Sequence, residues 1–261
     1  MRAVPKSVKH PDWAVTGIPK AERRLSRTKV NFLDARAQDA MRKVCKFARE
    51  VLSITAAELR PGVTTDYLDD VCHKSCVERE RVLLAGDIIN LDISLYHGGY
   101  HADVNETYYV GDSAKADPDS VRVIEATREC LDKAIEVVKP GTPIREFGAV
   151  IEKHVKSKGC SVISTWGGHG IHTEFHPLPW IPHHAKNKAV GVCKPGMAFT
   201  IEPILTVGKP REVYWPDNWT NATVDGRRTA QFGVEVLTAR TETSPGGSVP
   251  TPPTTDAIEE P

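Results

Sequence analysis

A mixed α/β (α+β) fold built from two similar halves is predicted by three observations on the 261-residue chain. The first is an internal repeat. Arg49-Glu50-x-Leu52, followed by Leu59-Arg60-Pro61-Gly62, recurs as Arg128-Glu129-x-Leu131, followed by Val138-Lys139-Pro140-Gly141. Gly86, with Asp92-Ile93-x-Leu95 behind it, recurs as Gly196 with Glu202-Pro203-x-Leu205. Two matches in one order favour duplication over chance. The second observation is the hydrophobic period, which switches between helical and alternating spacing within each half. The third is composition: 40% apolar and 26% charged residues, ordinary for a globular protein. Each half reads helix, Pro-Gly, helix, strand with a carboxylate. The stretch from Gly62 to Gly86 is much shorter than its counterpart from Gly141 to Gly196. A truncated first half is therefore expected.

Residues 1–34 are Pro- and Lys-rich without a period and predict an extended arm. From Met41 a helical stripe runs through Cys45, Ala48, Leu52, Ala56 and Leu59, and Pro61-Gly62 ends it. Thr64 or Thr65 caps a second helix carrying Leu68, Val71 and Cys72. Ile89, Leu91, Ile93 and Leu95 then alternate with Asn90, Asp92 and Ser94, which is a strand. Gly98-Gly99 turns it into a partner strand ending near Val110. Helical spacing returns at Val123, Thr127, Leu131, Ile135 and Val138, stops at Pro140-Gly141, and resumes at Ile144, Phe147, Ile151 and Val155. Strands and loops fill the chain from Cys160 to about Arg240, closing a domain that spans 35–240. The tail, 241–261, is dense in proline and almost without apolar side chains, and is expected to be disordered.

Lys plus Arg and Asp plus Glu both number 34, so no net charge suggests a nucleic-acid or membrane surface. No run approaches the ~18 apolar residues of a membrane span, and the start of the chain lacks the apolar stretch of a secretory signal. Six cysteines without Cys-x-x-Cys spacing fit a reduced compartment, so a cytoplasmic location is expected. Cys72, His73 and Cys76 resemble a metal clip, but no second pair completes it, and core packing is the better reading.

Three elements carry chemistry. If His97 pairs with Tyr100, Asp92 and Asp103 become diagonal neighbours on one hairpin face, roughly 7 Å apart. Carboxylates that close repel unless they share a proton or hold a cation. The bland alternative is two solvent-facing aspartates. The second element is Gly168-His169-Gly170-Ile171-His172, with His176 further along the loop and His183-His184 after it. Glycines leave the His169 ring approachable, although a histidine-rich loop is also compatible with plain surface. His154, on an apolar helical face, reads as a core residue. The third element is Glu202, inside the apolar strand Phe199-Thr200-Ile201-Glu202-Pro203, which needs a cation or a Lys or Arg partner. Together these residues make a dinuclear site plausible, and carboxylate-rich ligation with one imidazole suits Mn, Co, Fe or Zn. Two carboxylate-bridged ions are the usual apparatus of hydrolysis.

Asn90-Leu91-Asp92, Tyr100-His101-Ala102-Asp103, Gly168-His169-Gly170-Ile171, Phe175-His176, Phe199-Thr200-Ile201-Glu202-Pro203, Trp215-Pro216-Asp217-x-Trp219 and Ala230-Gln231-Phe232 resemble the type I methionine aminopeptidases of the eukaryotic kind. The resemblance covers about residues 35–240. It implies the pita-bread fold, two pseudo-symmetric halves around a central antiparallel sheet and a metal site. It also implies two divalent ions: Asp92 on one, Asp103 bridging both, His169 and Glu202 on the other. Glu202 would accept a proton from the attacking water, and His176 would be a catalytic residue contacting the substrate. The implied reaction removes the initiator methionine from nascent chains, with ribosome association, no membrane and no direct nucleic-acid contact. The chain departs from the family after Glu80, where a segment with a catalytic histidine is missing, and at Gly233, where a bridging Glu is expected. It also lacks the family's N-terminal zinc-binding region. A weak second ion and impaired activity are therefore expected, with a non-catalytic binding module as the alternative. Glu235, just beyond the expected ligand position, would reach the ions only through a slip in register.

Overall fold

Asp34 accepts a hydrogen bond from the Ala37 N–H at 2.8 Å and so caps the first long helix. The computed structural model describes residues 18, 20–25, 28–65, 67–68, 83–215 and 220–238. That helix is α2 (Ala35–Ala57), preceded by the single turn α1 (Lys20–Arg23). It starts ahead of the apolar stripe because Asp34 supplies the cap and the first turn needs no buried face. Met41, Val44, Ala48 and Leu52 are buried against the hairpin β1 (Ile88–His97) and β2 (Tyr100–Tyr109). The hairpin has the register read from sequence: His97 opposite Tyr100, Asp92 opposite Asn105, Ser94 opposite Asp103. Thr64 accepts the Tyr67 N–H at 3.0 Å, as a helix cap would. The continuation through Val71 and Cys72, the Cys72–His73–Cys76 cluster and the Glu80–Arg81 junction lie outside the described residues. So do most of the 1–34 arm and the whole 241–261 tail.

The second half contains α3 (Gly111–Ala116), α4 (Pro118–Glu136) and α5 (Ile144–Ser157). Short strands follow: β3 (Ser161–Val162), β4 (Gly167–His169), β5 (Trp180–Pro182), β6 (Ala198–Ile201), β7 (Ile204–Thr206), β8 (Glu212–Tyr214), β9 (Asn221–Thr223), β10 (Thr229–Gln231) and β11 (Val234–Leu237). Every pairing is antiparallel, as expected from sequence. Among the described residues the strands make five small sheets, one of three strands and four of two. Glu202-Pro203 separates β6 from β7, and Pro203 has no N–H to offer a ladder. Phe232-Gly233 separates β10 from β11. Isolated bridges, Asn105 to Gly233 and Gly170 to Phe199, tie the small sheets together.

Two hydrophobic cores match the two halves. Leu52, Ile93 and Val104 belong to one, beneath α2 and the hairpin. Phe147, Ile151, Phe199 and Leu205 belong to the other, between α5 and the short strands. The repeat is also visible in backbone pairing. The Gly62 N–H donates to Leu83 O (3.0 Å) and the Leu83 N–H to Val63 O (3.1 Å). In the second half the Gly141 N–H donates to Cys193 O and the Cys193 N–H to Thr142 O, both 2.8 Å. Gly62 and Gly141 share the left-handed conformation, φ +91° and +92°, that only glycine adopts without strain. Both loops are thus closed by one kind of stem.

His154 is the satisfied residue its setting suggests: Nε2 lies 2.5 Å from the Glu129 carboxylate, and the side chain is largely buried.

Candidate metal centre

Each ligand candidate is delivered by a different part of the second strand layer or the hairpin. Asp103 projects from β2, His169 from β4 and Glu202 from the residue that ends β6. One potential ligand atom from each lies within 4.8 Å of the other two. The side chains are 11%, 8% and 17% exposed, respectively. His169 Nε2 stands 3.3 Å from Asp103 Oδ2 and 3.5 Å from Glu202 Oε1. Its Nδ1 is 2.9 Å from the Gly170 carbonyl, which can only accept, so Nδ1 carries the proton. In the neutral ring the Nε2 lone pair therefore faces two carboxylates, an arrangement that is repulsive until a proton or a metal ion enters between them. Holding one ring nitrogen on a carbonyl is also how a metal-ligating histidine is oriented.

Among the described residues the Glu202 carboxylate has no Lys or Arg partner. Thr200 Oγ1 donates to Oε1 (2.6 Å) and Gln231 Nε2 to Oε2 (3.1 Å). Burial pushes Glu202 up to about 7, with His169 pulling it down and Asp103 pushing it further up. Burial works against the protonated His169 ring, but the Asp103 hydrogen bond and the Glu202 charge outweigh it and raise its pKa. The donor set fits a divalent cation: two carboxylates and an oriented imidazole, largely buried, with no Lys or Arg paired to them among the described residues.

Asp92 is placed differently from the three. It lines the same cleft, a cavity of about 1190 Å³, but it is exposed and its carboxylate is not in the converging group. The pairing explains this. β1 is the outer strand of the hairpin, and the register sets Asp92 diagonally from Asp103, roughly 7 Å away on the strand farther from β6. His176 lines the cleft as well, its ring centroid 4.4 Å from that of His169 and its Nδ1 3.3 Å from Glu22. Gly233 lies at the edge of the site, where a Cβ would stand 3.0 Å from the Glu202 Cβ. Glu235 does not reach the converging set. It sits opposite Thr200 on β11, and its Oε1 accepts the backbone N–H of Asp103.

Three supporting residues were not singled out by sequence reasoning. Thr200 bridges the His169 N–H (3.0 Å) and the Glu202 carboxylate, and Gln231 holds the other Glu202 oxygen. His183, within a run that also fits a surface loop, is buried, and its Nε2 accepts the Glu202 N–H at 3.3 Å. A period-two reading of Thr200 and Glu202 was the only available signal for the first.

The glycines beside His169 are steric necessities. A Cβ at Gly168 would meet Thr200 O at 2.0 Å, and one at Gly170 would meet Leu178 O at 2.3 Å. Gly168→Ala is therefore expected to push β4 off β6, displace His169 and weaken metal binding at least about tenfold, ~1.4 kcal/mol. Isothermal titration with Mn²⁺ or Zn²⁺ measures this; unchanged affinity would contradict the placement.

A second prediction concerns acid. Burial, and then the neighbouring His101 ring, depress the His172 pKa to about 4. Its Nδ1 accepts the Glu174 N–H, a bond only the neutral ring can make. The unfolded ring titrates near about 6.5, so this contribution to stability is intact above about pH 6.5 and is lost as pH falls toward about 4. Urea denaturation of the metal-free chain is expected to show a falling midpoint over that window, with a shallower fall in His172→Gln.

A sequence model of metallopeptidase family M24 matches residues 69–240. The methionine aminopeptidase 1 of Schizosaccharomyces pombe is 47% identical, with 95% of this chain and 76% of that protein covered. The chain belongs to metallopeptidase family M24. Within that family its relatives are the type I methionine aminopeptidases, and they are metal-dependent enzymes. The S. pombe comparison runs over 290 positions, more than the 261 residues present, so this M24 chain lacks residues at some of them. The fold is that of methionine aminopeptidase from Rickettsia prowazekii, with a TM-score of 0.76 at 28% identity, covering 81% of this chain and 96% of that one. That likeness makes this metallopeptidase a pita-bread protein. Prolidase from Pyrococcus furiosus shares the fold at a TM-score of 0.61 and 18% identity, covering 80% of this chain and 62% of that one. No described helix is long and apolar enough to cross a membrane.

Proposed function

We propose that this chain is a methionyl aminopeptidase that takes the N-terminal methionine of nascent polypeptides, working at reduced rate. The observation that carries the reading is the convergence of Asp103, His169 and Glu202 in one cleft; Arg23 also lines that cleft, but among the described residues no Lys or Arg pairs with any of the three. These three would hold one divalent ion, Mn, Co, Fe or Zn, with Asp92 on the rim as the further ligand toward a weaker second ion. When bound, the metal supplies Lewis acidity to the scissile carbonyl.

The chain's own residues do the rest. Glu202 accepts the proton of the attacking water at its carboxylate; Thr200 and Gln231 fix the orientation of that carboxylate. His176, stacked edge-on against His169, contacts the substrate near the amide. Phe175, Trp166 and Leu178 give the cleft an apolar lining against which a methionine side chain loses water. We assign the catalytic unit to residues 35–240, with 1–34 as an arm and 241–261 as a tail. A cytoplasmic, ribosome-side location follows from the substrate.

Gly233 and the short Gly62–Leu83 loop favour a second reading, a pita-bread module that grips nascent chains without cutting them. Metal-loaded chain is incubated with Met-Ala-Ser and with N-acetyl-Met-Ala-Ser, and free methionine is measured. Release from the first peptide alone supports the aminopeptidase. Binding of the first peptide with no release over many hours supports the module.

A further inference from the structure

A second groove lies beside the catalytic cleft and shares Leu178 and Trp180 with it. It has a volume of about 990 Å³ and runs between residues 28–32 and the loop 184–194. Its wall is apolar: Phe32, Trp180 and Val192 are exposed there, and Val190 is 87% exposed. Its rim is basic. Lys29, Lys186, Lys188 and Lys194 line it, all are exposed, and no Asp or Glu lines it. Among the described residues none of the four has an ion-pair partner; Lys194 lies 5.7 Å from the Phe32 ring centroid. Four lysines on one rim with no acidic lining make a local positive field, felt over about one Debye length, ~10 Å at about 0.1 M salt.

The described chain leaves the fold at this groove. The Thr238 N–H donates to Met197 O at 2.9 Å, and Met197 lines the groove. Residues 241–261 contain Glu242, Asp256, Glu259 and Glu260 and no Lys or Arg. The only large aliphatic side chain among residues 250–261 is Ile258, set between Asp256 and Glu259-Glu260. We propose that residues 256–261 of this chain dock into the groove, Ile258 against the apolar wall and the three carboxylates on the lysine rim. Asp256 follows Thr238 by 18 positions, a reach of up to ~60 Å at about 3.3 Å per residue. Tethering at that length supplies a millimolar-range local concentration. Residues 1–17 carry Arg2, Lys6 and Lys9 and are the wrong sign for this rim.

Zero-length carbodiimide coupling of the full chain, mixed one-to-one with its ¹⁵N-labelled copy, tests this by mass spectrometry. The expected products join Glu259 or Glu260 to Lys186, Lys188, Lys194 or Lys29 within one copy. They should exceed links to the distant Lys43 and Lys46 by about tenfold. Raising NaCl from about 0.05 to about 0.5 M should cut them at least about threefold. The triple variant Asp256→Lys, Glu259→Lys, Glu260→Lys should expose the four lysines to acetylation, with far-UV circular dichroism unchanged. Links spread evenly over all surface lysines would overturn the proposal. So would links found only between labelled and unlabelled copies, which assign the groove to a second molecule's tail. Unchanged acetylation in the triple variant would do the same, leaving the groove to an external acidic partner.

Discussion

Loaded with Mn²⁺, Co²⁺, Fe²⁺ or Zn²⁺ and offered Met-Ala-Ser, the chain is expected to release methionine well below about 1 per second, the lower end of ordinary turnover. Two losses act together. No carboxylate stands at Gly233, and Glu235, the nearest acid on that strand, is engaged with the Asp103 N–H. On the proposed reading a segment bringing a catalytic histidine would be missing after Glu80, and a group in that role contributes typically about 10²–10⁴-fold. Gly233→Glu alone is not expected to restore the rate. A Cβ there meets the Asn105 side-chain nitrogen at 2.3 Å, so the added carboxylate displaces Asn105 instead of joining the ligands. Turnover at about 1 per second or faster in purified, metal-loaded protein would show that neither loss matters.

Metal binding should be uneven and should depend on the buried trio. Calorimetric titration is expected to give one tight ion and a second that is weak. His169→Ala should cost more than about 100-fold in affinity, beyond what loss of a supporting partner costs. Asp92→Asn, on the exposed rim, should leave the tight ion within about tenfold. At about 100 times its dissociation constant the tight ion should stabilise the fold by about 2.7 kcal/mol, read as a rise in melting temperature that His169→Ala abolishes. Two equally tight ions, or equal losses in the two variants, would place Asp92 inside the centre.

The hairpin register, the helix faces and the two halves were legible because each rests on local periodicity or on a repeated motif. The trio was legible for a related reason: a glutamate in an apolar strand and a histidine framed by glycines are both costly without a partner. What sequence hid is set by layer geometry. The outward place of Asp92 depends on which hairpin strand faces β6, and nothing in the alternation of Ile89, Leu91 and Ile93 distinguishes the two edges. The division into five small sheets depends on Pro203 and Gly233, single residues whose effect on a ladder is felt only when partner strands arrive. His183 was hidden because its neighbour in space, Glu202, lies well beyond it along the chain, past the whole 184–194 loop.

The matched stems at Gly62–Leu83 and Gly141–Cys193 make the first loop an interchangeable cartridge. The same two backbone hydrogen bonds clasp a short stretch in one half and one more than twice as long in the other. By loop-closure entropy, lengthening the shorter loop to match the longer costs only about 0.8 kcal/mol. A host that accepts both lengths on one clasp is a natural recipient for transplanted sequence. The corresponding stretch of an intact relative, spliced between Glu80 and Arg81, would enter a frame whose ends are already fixed.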